Sequence, residues 1–119
     1  MNITVQRTNF KMEYENITMT RGDTVTFNIQ VFDENGQTID VDSCKFTCKK
    51  RASSSEVVFQ KSFADGITQS NGLITVRIAP EDTKNVDEGT YFFDCQIGEA
   101  DDIFTIKKGI LTIEWDATF

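Results

Sequence analysis

The chain contains no histidine. That absence removes the Ser-His-Asp and Cys-His routes to an activated nucleophile, and with them the commonest zinc ligand. Proline occurs once, at Pro80, and tryptophan once, at Trp115. No apolar run approaches the roughly 20 residues that a membrane-crossing helix needs. The opening Met1-Asn2-Ile3-Thr4-Val5-Gln6-Arg7 lacks a basic stretch followed by an apolar one, so an export signal is not expected. Cysteine is sparse and odd in number, at Cys44, Cys48 and Cys95. In a chain that can build a core without staples, this pattern reads as reduced, buried thiols in a reducing cytoplasm. Cys48 and Cys95 are the pair that neighbouring inward faces could bring close.

Basic residues are the minority. Twelve Lys and Arg against nineteen Asp and Glu leave a net charge of -7, which repels phosphate backbones and anionic headgroups. Neither nucleic acid nor membrane insertion is therefore expected. The cluster Lys45, Lys49, Lys50, Arg51 and Lys61 reads as a solvated strand face.

What the chain does have is phenylalanine, ten residues in 119, within a hydrophobic fraction of 39%. A length near the usual single-domain size implies one domain over residues 1–119, with residues 1–20 as an N-terminal arm or edge strands. Turn signals recur at spacings of roughly ten residues. Asn35-Gly36 and Asn71-Gly72 offer the positive φ angles of tight hairpins. Strands are expected over Thr24 to Phe32, Cys44 to Lys50, Val57 to Phe63 and Leu73 to Ile78. In the first two, Val25, Phe27, Ile29, Val31, Cys44, Phe46 and Cys48 point inward. Pro80-Glu81-Asp82-Thr83-Lys84 suits a single helical turn that crosses from one sheet to the other.

The stretch Asp87 to Ile97 is the most telling. Tyr91, Phe93, Cys95 and Ile97 alternate with Phe92, Asp94 and Gln96, the period of a half-buried antiparallel strand. Asp87, Gly89 and Tyr91 have the spacing of a tyrosine corner, in which the ring enters the core and the hydroxyl bonds back to the preceding loop. The fold class that follows is all-β: an immunoglobulin-like antiparallel β-sandwich of about 7–9 strands with one short helical turn near Pro80. In the last strand region the inward phase changes between Phe104 and Ile106 and the later Leu111, Ile113 and Trp115. A glycine bulge at Gly109 is the preferred explanation, and a strand that swaps sheets is the other.

Chemistry finds little footing. Asp94, Asp101 and Asp102 could face one another across a hairpin, but no spacing selects a catalytic pair. Asp33-Glu34-Asn35-Gly36, or Asp40 with Asp42, has calcium-type ligands without completing a loop pattern, so turn chemistry explains them better. Cys44 and Cys48 with a distant Cys95 make a poor zinc set. The expectation is no catalytic residue, no cofactor and no metal. Arg21-Gly22-Asp23 matches an integrin-recognition tripeptide but reads as a turn before a strand, and Asn2-Ile3-Thr4 and Asn16-Ile17-Thr18 read as strand residues.

Six short motifs fall in order: Arg21-Gly22-Asp23-Thr24; Asp33-Glu34-Asn35-Gly36; Phe46-Thr47-Cys48-Lys49; Ile78-Ala79-Pro80-Glu81-Asp82-Thr83; Gly89-Thr90-Tyr91-Phe92-Phe93-Asp94-Cys95-Gln96-Ile97; and Gly109 before Leu111-Thr112-Ile113. Together they resemble small structural proteins of tailed bacteriophages and prophages, in particular the immunoglobulin-like N-terminal domain of upper baseplate proteins. The resemblance spans about Thr20 to Glu114. It implies a virion component, made in the bacterial host cytoplasm, that attaches fibre or receptor-binding parts to a tail or capsid. Its partners would be other virion proteins and copies of itself. The exposed apolar candidates for such contact are Phe32, Phe92, Trp115 and Phe119. The rival expectation is a carbohydrate- or cell-surface-binding sandwich using Tyr14, Tyr91 and Trp115 as stacking platforms.

Overall fold

A computed structural model of the protein describes residues 2–6, 13–32, 35–51, 53 and 55–117. Within these lie nine strands and one helix: β1 (Asn2–Gln6), β2 (Glu13–Thr20), β3 (Val25–Phe32), β4 (Ser43–Lys49), β5 (Val57–Phe63), β6 (Gly66–Ser70), β7 (Leu73–Ile78), α1 (Pro80–Thr83), β8 (Gly89–Glu99) and β9 (Asp102–Glu114). Backbone hydrogen bonds join the strands in the order β1-β3-β7-β6-β5-β4-β8-β9-β2.

This single ladder turns a corner between β5 and β6. Only Ser62 with Gly66 and Phe63 with Ile67 pair there, and Ala64 and Gly66 take positive φ angles of 66° and 91°. The corner lays one layer, β1-β3-β7-β6, over the other, β5-β4-β8-β9-β2. The two meet through aromatic rings: Phe27 of β3 packs on Phe46 of β4 at 5.6 Å, and Phe46 stacks on Phe93 at 5.2 Å and Phe59 at 6.1 Å. The result is the expected all-β, sandwich-like fold.

Alternation drives it. Phe27, Ile29 and Val31 of β3, Cys44, Phe46 and Cys48 of β4, Ile74, Val76 and Ile78 of β7, and Tyr91, Phe93, Cys95 and Ile97 of β8 are all buried. Each Val, Ile or Phe among these contributes about 1.5–3 kcal/mol on leaving water. Between β6 and β7, Asn71 and Gly72 take φ of 50° and 77°, the paired positive angles that a two-residue hairpin requires.

One feature of the expected class is corrected. Not all pairings are antiparallel: β1 runs parallel to β3, β2 parallel to β9, and the short β5–β6 contact is parallel too. Long intervening chain between β1 and β3, and between β2 and β9, permits this for the two extended parallel pairs, whereas β5 and β6 touch through only two residue pairs at the corner where the chain bends.

Helix α1 starts at Pro80, whose fixed φ and missing N–H suit a first turn. Asp82 Oδ2 accepts a hydrogen bond from the Ala79 N–H at 2.7 Å. The buried Thr83 Oγ1 accepts one from the Gly22 N–H at 2.8 Å, fastening the turn before β3 to the helix. The phase change in β9 is a bulge, but three residues earlier than its glycine suggested. Cys95 pairs with Lys107 and Gln96 with Thr105, so Ile106 is the extra residue, and Ile106 and Lys107 are buried consecutively. Gly109 serves another need: a Cβ there would collide with the Glu15 carbonyl of β2.

Two stability outcomes follow. Tyr91 is buried and its hydroxyl donates to the Asp87 carbonyl at 2.6 Å, so Tyr91→Phe is expected to lower the urea-unfolding free energy by about 1 kcal/mol. Gly109→Ala is expected to cost about 1–3 kcal/mol by overpacking. That loss should appear with faster amide exchange confined to β2 and the facing half of β9.

Candidate functional site

The outer face of the β4-β8-β9-β2 layer carries the most distinctive surface among the described residues. Register places its side chains in two cross-strand rows. Tyr14 sits opposite Lys108, Lys108 opposite Asp94, and Asp94 opposite Thr47; beside them Asn16 faces Ile110, Ile110 faces Phe92, and Phe92 faces Lys49. Directly opposed side chains on one face lie about 4.5–5.5 Å apart at Cβ, so each row is a contiguous strip. The rows line a concavity of roughly 480 Å³ with Phe93 and Gly109 beneath.

Tyr14 is 75% exposed and Phe92 36%, both high for large apolar side chains. The Lys108 ammonium lies over the Tyr14 ring, 5.3 Å from its centroid, which attracts the cation and orients the ring. Asp94 is half-buried between Lys49 and Lys108. Desolvation raises its carboxyl above the usual range, and the two ammonium groups pull it part of the way back. Below this floor, Glu15 of β2 is ion-paired with the buried Lys107 of β9, which fixes the β2 edge.

The other expected contact residues are dispersed. Phe32, half-buried, ends β3 at the end of the sandwich where β4 begins. Trp115 follows β9 at the opposite end and is 64% exposed. Phe119 lies outside the described residues. Only Phe92 joins the concavity.

Lys61 corrects the reading of the basic cluster as a solvated face. It is buried, and its ammonium pairs with Asp82 at 3.0 Å and with Asp65 at 3.7 Å, so it reaches from β5 to the helix cap. The cysteines are reduced and buried. The sulfurs that meet are Cys44 and Cys95, at 3.9 Å, because Cys44 faces Ile97 diagonally from Cys95 while Cys48 faces Phe93. Burial pushes the Cys48 thiol up to about 12. The hydrogen bond with Cys44 and then desolvation push the Cys95 thiol up as well.

Asp40 and Asp42 act in turns. Asp40 Oδ1 accepts from the Gly72 N–H and Asp42 Oδ2 from the Ala100 N–H, each at 2.7 Å. Asp101 and Asp102 are exposed at the β8–β9 turn. Of the tripeptide at 21–23, Arg21 is engaged with Asp116 at 3.3 Å and with the Val86 carbonyl at 3.4 Å. Sequence reasoning missed Lys49 and Lys108 as site residues. The outward position of Lys49 on β4 was readable from its alternation with Phe46 and Cys48, but the register that sets it and Lys108 beside Phe92 and Asp94 was not.

The folded state holds the Asp94 proton more tightly than the unfolded chain does. That contribution is complete below the unfolded carboxyl's pKa of about 3.9 and is lost as pH rises through the higher folded value. Asp94→Asn is therefore expected to melt slightly above the parent at about pH 7, with the difference closing near about pH 3. A variant that melts lower at neutral pH would mean that attraction to Lys49 and Lys108 outweighs desolvation.

No protein-family model matches the chain, and no curated protein matches it. Among solved structures it is similar to the N-terminal domain of phage TP901-1 ORF48, with 15% identity and a TM-score of 0.46, over 95% of this chain and 96% of that one. It is also similar to part of a family 123 glycoside hydrolase from Clostridium perfringens, described for glycolipid glycan hydrolysis. There the identity is 11% and the TM-score 0.40, over 87% of this chain and 23% of that one. Likeness at this level assigns neither chemistry nor partner.

Proposed function

We propose that this chain is a structural module of a phage virion, a tail baseplate or fibre-attachment component. It acts by protein–protein contact with other virion proteins and with copies of itself. The order of the six motifs supports the setting, including assembly in a bacterial host cytoplasm. The observation that carries the contact reading is Trp115. The residue is 64% exposed, yet its neighbours on both sides are tied down. The Glu114 carbonyl accepts from the Arg21 N–H at 2.9 Å, and Asp116 pairs with the Arg21 guanidinium at 3.3 Å.

An exposed aromatic on a fixed backbone has little backbone entropy left to lose on binding, and Trp side chains recur as anchors at interface centres. The net charge of -7 keeps unassembled subunits apart in solution.

The test is capture of co-expressed structural proteins from the same phage or prophage gene cluster by the immobilised full chain, with light scattering for self-association. Trp115→Ala is expected to weaken capture by about 2 kcal/mol or more, roughly thirtyfold, with an unchanged melting temperature. Equal capture by parent and variant, or a parent that stays monomeric and captures none of these proteins, would overturn the reading.

A further inference from the structure

The geometry points to the concavity between Tyr14 and Phe92 as a saccharide-binding site, in which a pyranose lies on the aromatic and aliphatic side chains and hydrogen-bonds through adjacent hydroxyls to Asp94 and the two lysines beside it. This site is separate from Trp115, and the inference does not depend on the assembly reading.

Pyranose rings present an apolar C–H face and a rim of hydroxyls, each of which both donates and accepts. The concavity matches both sides of that chemistry. Phe92 and Ile110 form an apolar floor, and the Tyr14 ring stands exposed at its edge, steadied by Lys108. Within the same strips lie an acceptor-only carboxylate, Asp94, and donor-only ammonium groups on Lys49 and Lys108 on either side of it. Neighbouring sugar hydroxyls can donate to the carboxylate while accepting from an ammonium. Such charge-assisted bonds are about twice as strong as neutral ones. Asn16 and Thr47 close the strips with groups that donate and accept, and the Thr47 hydroxyl oxygen is already oriented by the Gln60 amide at 2.8 Å. A volume of roughly 480 Å³ lies within the usual range for small-ligand sites.

Other ligand classes fit worse. A compact anion meets Asp94, a cation meets Lys49 and Lys108, and a hydrocarbon would strip water from a carboxylate without replacing its hydrogen bonds. An extended peptide needs unpaired backbone groups. Here β8 and β9, which form the floor, are paired on both sides and present only side chains, and the unpaired edge of β2 lies at the margin of the site, beyond Tyr14 and Asn16.

The experiment titrates the isotope-labelled full chain with methyl pyranosides of glucose, galactose, mannose, rhamnose and N-acetylglucosamine, and with their disaccharides, following backbone amide shifts. The expected result is saturable shifts at Thr47, Phe92, Asp94, Lys108 and Ile110 for at least one sugar. Tyr14→Ala and Asp94→Asn should each weaken that binding at least about tenfold, or about 1.4 kcal/mol. Affinity should also fall as acid protonates Asp94. Trp115→Ala should leave the titration unchanged, which separates this outcome from the assembly contact. The amide spectrum of each variant reports its fold in the same experiment, and Asn16→Ala provides a third probe of the strips. Three results would overturn the inference: no saturable shift up to about 50 mM sugar, shifts that map elsewhere, or affinities that these variants leave unmoved.

Discussion

Phe46 is the contact on which the other features depend. Its ring is fully buried and touches Phe27 from the facing layer and Phe59 and Phe93 from the strands at its sides. Strand side chains alternate, so the direction in which Phe46 points decides the direction of every other residue on β4, and pairing carries that choice to β5 and β8. The outward strips of Thr47 with Lys49 and of Phe92 with Asp94 are the complement of this inward choice. A slip of one residue would bury Lys49 and Asp94 and expose three phenylalanines. The surface chemistry is thus held in place by core packing rather than by contacts of its own.

Much of this was legible along the chain because it is local. The alternation of β3, β4, β7 and β8, the Asn71-Gly72 reversal, the helical turn at Pro80 and the placement of Tyr91 all depend on residues within a few positions of one another. What was not legible is non-local. Residues 13–20 show weak periodicity, and their parallel pairing with β9 depends on a partner far along the chain. Tyr14 therefore could not be placed beside Lys108, nor could Gly109 be read as the point where β2 passes close. A glycine near a phase change suggests a bulge, yet Ile106 accommodates the extra residue, and Gly109 yields to the Glu15 backbone instead.

Buried lysines were the other blind spot. Composition treats Lys as solvent-facing, but Lys61 and Lys107 occupy inward positions with their charges paired to Asp82 and Glu15. Each ties a strand to an element that could otherwise drift: β5 to the helix cap, and β9 to the edge strand β2. Long aliphatic stems let these residues line an apolar interior while the ammonium reaches a carboxylate at its margin. Replacing a lysine of this kind by a neutral group deprives a partly buried acid of its ion pair, which is more costly than losing an exposed pair.

The segment nearest the N-terminus supplies both rims of the sheet, β1 against β3 and β2 against β9. Thr20 pairs with Glu114 and Glu13 with Lys107, so β2 must wait for a mate that is synthesised far later along the chain. The closing of this rim is then a late step of folding. Contacts this remote in sequence slow folding, because the loop must close before pairing rewards it. Until β9 arrives, the chain carries an unpartnered strand that invites pairing with other copies, and a holdase that shields it would raise the yield of folded protein.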